Sequence, residues 1–176
     1  MRVVIGRPAT EEANEYFNGY IEQVDGDDLL KSMEKIHNAT WKALSDLRVS
    51  PDHRYADGKW SIKEVVQHLI DTERVFCYRA LAFARKDLQD LLGFEENYYA
   101  RESKADKREF HDIMREFDSV RIATRALFQS FDEETLLNEG RANGSKTSVR
   151  ALGWMLAGHE QHHLAVIKER YLNEEA

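Results

Sequence analysis

One cysteine, Cys77, occurs among 176 residues. No intrachain disulfide can form, and a reducing compartment, the cytoplasm, is expected. Prolines number two and glycines nine, so few positions interrupt a helix. No apolar run approaches the roughly 18 residues that cross a bilayer as a helix. Met1 to Thr10 holds no apolar stretch of signal-peptide length. No membrane partner is therefore expected. Positive charge is in deficit: the formal net charge is −7, and no basic stripe is interleaved with aromatics. A nucleic-acid partner is therefore not expected. Strand-like alternation is almost wholly missing.

What is present is ordinary for a globular protein, with 42% hydrophobic and 32% charged residues. A single domain over 1–176 is expected, large enough to bury roughly 70% of its unfolded surface. Four long amphipathic patterns dominate. The first runs from about Asp28 to Leu47, with Leu29, Met33, Ile36, Thr40, Leu44 and Leu47 on one face. A short helix precedes it within Thr10 to Val24. The second starts at Ser61, where Glu64 completes a capping box and Trp60 with Val65 forms a staple; it runs to about Arg85. The third spans about Ser103 to Phe131, with Phe110, Ile113, Met114, Phe117, Thr124 and Phe128 inward. The fourth spans about Ser148 to Leu172. The connection Lys86 to Glu102 exceeds the roughly 2–8 residues usual between bundle helices, so it can cross the bundle. Gly140 to Ser145 reads as a turn, with Asn143-Gly144 at its tight point. The fold class is all-α: a four-helix bundle with a long crossover between helices two and three, plus a short N-terminal helix.

His159 and His163 lie one helical turn apart in Leu156-Ala157-Gly158-His159-Glu160-Gln161-His162-His163-Leu164. At about 100° per residue, Leu152, Met155, Leu156, Val166 and Ile167 fall within roughly 60° of the line through them. The pair therefore points into the core. One inward histidine is ordinarily a satisfied core residue. Two, stacked in an apolar stripe, need a shared partner for two ring nitrogens, and a divalent metal supplies it. His68 is the best third ligand: it is roughly 60° from Val65 on the wheel, at the edge of the buried stripe. His37, at the border of the first helix's apolar face, is the reserve. His162, rotated about 100° from His163, is expected outside the site. His111 drifts to a polar face, and His53 sits in a loop beside Pro51. Three imidazoles leave positions open for water or substrate, as in catalytic sites. Imidazole suits zinc and nickel alike.

Two segments carry a resemblance. Gly58-Lys59-Trp60-Ser61-Ile62-Lys63-Glu64-Val65-Val66-Gln67-His68-Leu69-Ile70-Asp71-Thr72-Glu73-Arg74 is one. Ser148-Val149-Arg150-Ala151-Leu152 with Ala157-Gly158-His159-Glu160-Gln161-His162-His163 is the other. With the helical pattern around them they resemble the DinB-like (DinB/YfiT-like) family of four-helix-bundle metalloproteins, from about Pro8 to Leu172. The resemblance implies a divalent metal, zinc or nickel, on His68, His159 and His163. It also implies a transferase that uses a low-molecular-weight thiol such as bacillithiol or mycothiol, a small-molecule substrate, and a homodimer. Other members of the family are known only as metal-binding proteins.

His159-Glu160-Gln161-His162-His163 also fits the H-E-x-x-H pattern of zinc proteases, in which the glutamate is a general base. Val166 and Glu169 stand where a metzincin extension places glycine and histidine, and thirteen residues follow His163. The protease reading is therefore not favoured. Glu160, about 80° off the apolar stripe, is expected to be a solvated helix residue, with help to a metal-bound water as its lesser reading.

Arg121 falls in the third helix's apolar face, so a guanidinium there must be paired. It is either a structural ion pair or a substrate-binding residue for a carboxylate near the metal; Arg79 has the same two readings. Asp71 and Glu64 flank His68 by one turn, and either can orient its ring, with capping the stronger role for Glu64. Cys77 lies roughly 180° from His68 and packs elsewhere. Trp41, Trp60 and Trp154 read as packing residues. Two further functions share the three-histidine site: a hydrolase that activates water, and a non-catalytic metal-stabilised binding or dimerisation module.

Overall fold

A computed structural model describes residues 4–172. The first three and last four positions of the expected 1–176 domain lie outside the described residues. Capping chemistry sets the helix starts. After a 3₁₀ turn, Asn14 accepts from the Phe17 amide and opens α1, Glu15–Ile21. Asp28 caps α2, Leu29–Ser45, and Ser61 with Glu64 closes the capping box of α3, Ile62–Ala84. Next come β1, Asp90–Leu91, and α4, Glu96–Ser103. They are followed by α5, Phe110–Gln129, and the single turn of α6, Glu133–Leu136. A hairpin of β2, Glu139–Ala142, and β3, Ser145–Ser148, leads into α7, Val149–Val166. The last helix ends in a π-helical turn, Ile167–Tyr171. Helices α2, α3, α5 and α7 are the four-helix bundle. No helix among the described residues is long and apolar enough to cross a membrane.

Two features depart from the sequence reading. The third helix starts at Phe110 rather than near Ser103, because Lys104 turns left-handed at φ 54° and ends α4. The crossover is therefore partly helical. Strands are also present: β2 pairs antiparallel with β3 and parallel with β1. They escape periodicity because they are two to four residues long and carry Gly, Arg, Lys and Ser instead of alternating apolar residues. Contact with α3 supports them. A Cβ on Gly140 would sit 2.0 Å from a Phe83 ring carbon, so only glycine lets the sheet lie on that helix. The hairpin turns through Asn143 and Gly144, both at positive φ (51° and 72°), the pairing a tight two-residue turn requires.

Helix α7 is the centre of the molecule. It packs on α1, α2 and α3, and Ala151 through Glu160 are all buried. One apolar cluster gathers Leu29, Phe83, Phe128, Leu152 and Trp154; a second, nearer the start of α3, gathers Ile62, Ile70, Ile113, Phe117 and Ile167. Close approach of α1 to α7 depends on Gly158, where a Cβ would lie 2.0 Å from the Tyr20 carbonyl oxygen. Gly158→Ala is therefore expected to push α1 away and cost about 1–3 kcal/mol. A lowered urea midpoint at unchanged m-value would show it, and an unchanged midpoint would refute it.

Candidate metal centre

Helix α3 presents His68, and α7 presents His159 and His163 one turn apart. The three rings converge. His159 Nε2 lies 3.1 Å from His68 Nε2 and 3.2 Å from His163 Nε2, and the set lies within 4.8 Å. Zinc–nitrogen bonds of about 2.0–2.1 Å at tetrahedral angles place ligand nitrogens roughly 3.3 Å apart, so this donor set fits a divalent ion. Burial pushes the His68 pKa down to about 4 and that of His163 down to about 3. Burial, reinforced by the neighbouring imidazoles, drives His159 well below its usual value. All are neutral near pH 7, the state a metal ligand needs. Trp60 packs on His68 and Tyr20 on His159, with ring centroids 4.8 and 5.6 Å apart. His68 Nδ1 lies 3.5 Å from Thr72 Oγ1, and His163 Nδ1 has no partner among the described residues.

The histidines lie in the wall of a cavity of about 370 Å³ that Tyr20, Trp60, Phe76, Arg79, Phe94 and Asn143 also line. That volume suits a small molecule. Phe94 and Asn143 come from the crossover and the hairpin, and Tyr20 from α1. No helical periodicity places such residues, because loops and separate elements bring them together.

Arg121 does not line the cavity, which corrects its substrate-binding reading. Its Nε and Nη2 donate to Glu73 at 2.9 and 2.7 Å, and Nη2 makes a 2.7 Å ion-pair contact with Glu160. Burial disfavours the guanidinium charge, but Glu160 and Glu73 outweigh it and hold the pKa above its usual value. Glu160 is accordingly not solvated: it is 1% exposed. Its expected outward face does not exist, because His37 of α2 and Arg121 of α5 meet the carboxylate there. It does not line the histidine cavity and is paired with Arg121 instead, so the general-base role of the protease pattern has no geometry here.

His37 joins this charged group rather than the histidine cluster. Its Nε2 is 2.7 Å from Asp118 Oδ1, and its Nδ1 is 3.6 Å from Glu160 Oε1. Burial opposes protonation, but Glu160 and Asp118 overcome it and raise the pKa above the usual value. A raised folded-state pKa contributes stability that is complete below the unfolded value, about 6.5, and lost as pH rises through the folded one. His37→Gln is thus expected to destabilise the protein more at pH 6 than at pH 9. Urea melts of both proteins at the two pH values check this, and equal losses would contradict it.

Other residues fall as follows. His162 stands outside the three-histidine set, as its rotation on the helix led one to expect, and its ring lines the same cavity against Tyr20. Asp71 accepts from Gln67 at 3.0 Å and leaves His68 to Thr72, while Glu64 is spent on the cap. Cys77 faces α5, 3.1 Å from Thr124 Oγ1, and burial pushes its thiol up to about 11. Trp154 is fully buried, with its indole N–H on the Gly6 carbonyl, whereas Trp41 is 39% exposed.

A family model described as the DinB superfamily matches residues 9–167. The chain also resembles the solved structure of YfiT from Bacillus subtilis, described as a probable metal-dependent hydrolase with an unusual four-helix bundle topology. That match has 16% identity, covers 96% of this chain and 94% of the other, and has a TM-score of 0.72. No curated protein matches the chain.

Proposed function

The chain belongs to the DinB superfamily, and from that premise we propose that it is a metal-dependent enzyme in which His68, His159 and His163 hold zinc or nickel and a low-molecular-weight thiol of the bacillithiol type is transferred to a small electrophile. The observation that carries the reading is the convergence of three neutral imidazoles, 3.1 and 3.2 Å apart, in the wall of a molecule-sized cavity. A divalent metal in that position supplies a Lewis acid's charge, which lowers the pKa of a thiol or water beside it. The chain does the rest. Trp60 and Tyr20 fix the ring planes, and the aromatic wall excludes water and orients the second substrate. Turning Glu160 into the Arg121 ion pair removes the carboxylate that a zinc-protease mechanism needs to deprotonate water, which favours a thiol as the nucleophile. Cytoplasmic location, a homodimer and the lack of a nucleic-acid partner belong to the same proposal. They are supported by the single cysteine, the acidic charge and the family resemblance.

A second reading, hydrolysis, is favoured by His162, an imidazole in the cavity wall that can accept a proton from water. The description of YfiT as a probable metal-dependent hydrolase supports it too. Conjugation of monochlorobimane with cysteine, coenzyme A, bacillithiol and mycothiol, beside an ester panel without thiol, separates the two. Thiol-dependent turnover that disappears in His159→Ala supports the transferase. Ester cleavage without thiol supports the hydrolase. If metal raises the melting temperature and neither reaction occurs, the enzyme reading is overturned in favour of a metal-stabilised binding or dimerisation module.

A further inference from the structure

Helix α3 carries His68, Thr72, Phe76 and Arg79 at spacings of four, four and three residues, and all of them line the histidine cavity. The rise from His68 to Arg79 is about 16 Å, three helical turns. Arg79 is 5% exposed. Its Nη2 donates to the Leu92 carbonyl at 3.0 Å, and the guanidinium carbon stands 4.7 Å above the Phe76 ring. Among the described residues no carboxylate lies within 4.0 Å of it.

The other buried arginine among the described residues shows what is missing. Arg121 has Glu73 and Glu160; Arg79 has one backbone carbonyl and an aromatic face. Burying a guanidinium without a counter-charge is costly, and the burial is enough to lower the Arg79 pKa, with no acid offsetting it. Glu96, the acid in the described cavity wall, stands beyond ion-pair range of Arg79. A guanidinium has five N–H donors, so most of the Arg79 fork is left for whatever enters the cavity. Phe76 and Phe94 line the same space and suit an apolar middle section.

We propose that Arg79 is a specificity-determining residue that binds an anionic group, carboxylate or phosphate, on a ligand whose reacting end lies at the histidines. The substrate or co-substrate class is therefore an organic anion with an apolar span between its two functional ends. The inference rests on the cavity being the substrate site, and it holds whether the nucleophile is thiol or water.

Calorimetric titration of the full-length, metal-stripped protein with hexanoate, hexyl phosphate and neutral hexanamide tests it. A charge-assisted contact predicts that an anion binds about tenfold or more tightly than the amide. Arg79→Gln should abolish that preference, and Arg79→Lys should keep part of it. The tighter of hexanoate and hexyl phosphate identifies the headgroup. Equal affinity for anion and amide in the wild type, no measurable binding of any probe, or a preference that survives in Arg79→Gln would each overturn the proposal. If Arg79→Gln does not fold, Arg79→Lys decides: losing the fork must weaken hexanoate more than hexanamide. The metal reading fails separately, through metal content in wild type and His159→Ala, because the probes are titrated without metal.

Discussion

Replacing Arg121 by methionine is expected to lower the unfolding free energy by about 3–5 kcal/mol. The guanidinium is 3% exposed and sits between Glu73 on α3 and Glu160 on α7. Removing it leaves two buried carboxylates facing each other with no cation between them, and only His37 remains to share their charge. The penalty is that of orphaned ions, which exceeds the worth of the contacts themselves. At about 2–4 °C per kcal/mol for a chain of this size, the melting temperature should fall by roughly 6–20 °C. Replacing Arg121, Glu73 and Glu160 together by apolar residues of similar volume should recover most of that loss, since the desolvation cost disappears with the charges. A single substitution within about 1 kcal/mol of wild type would show that the network is not desolvated as described. Metal content in the triple variant tests a linked point. Glu160 follows His159 directly on α7, so the network also sets the rotation of the helix that presents the histidines.

The second large effect concerns metal. In the wild type, zinc at about 100 to 1,000 times its dissociation constant should add roughly 2.7–4.1 kcal/mol of stability. That is a rise of about 5–16 °C in melting temperature. His159→Ala should abolish the rise, because His159 Nε2 is the nitrogen in close reach of both other rings. Removing it leaves His68 and His163 as a pair with no adjacent third donor. His68→Ala should behave likewise. His162→Ala should keep the zinc response, since its ring lines the cavity outside the three-histidine set. Elemental analysis and thermal melts of the four proteins check this together. A zinc-dependent shift that persists in His159→Ala, or about one metal per chain bound without His68, would mean the metal sits elsewhere.

Local rules in the sequence were enough for the four long helices, except the start of the third, and for the pairing of two histidines. Ser61 and Glu64 announce the start of α3, and Asn143-Gly144 announces a tight turn, because capping and left-handed backbone depend on neighbours along the chain. A spacing of four residues places His159 and His163 on one face of any helix, whatever surrounds it. Tertiary structure decided the rest. Whether a polar residue on α7 meets water depends on how many helices surround it. Glu160 therefore looked solvated by its angle and is enclosed in fact. Arg121 and Arg79 are both buried arginines on inner faces, indistinguishable by periodicity. One received two carboxylates from α3 and α7, and the other received a cavity. The sheet can seat on α3 because Gly140 admits Phe83, a contact between residues far apart in the chain. Pairing of charges, the walls of the cavity and the seating of the sheet are long-range contacts. Their energies depend on distances that only the folded chain sets.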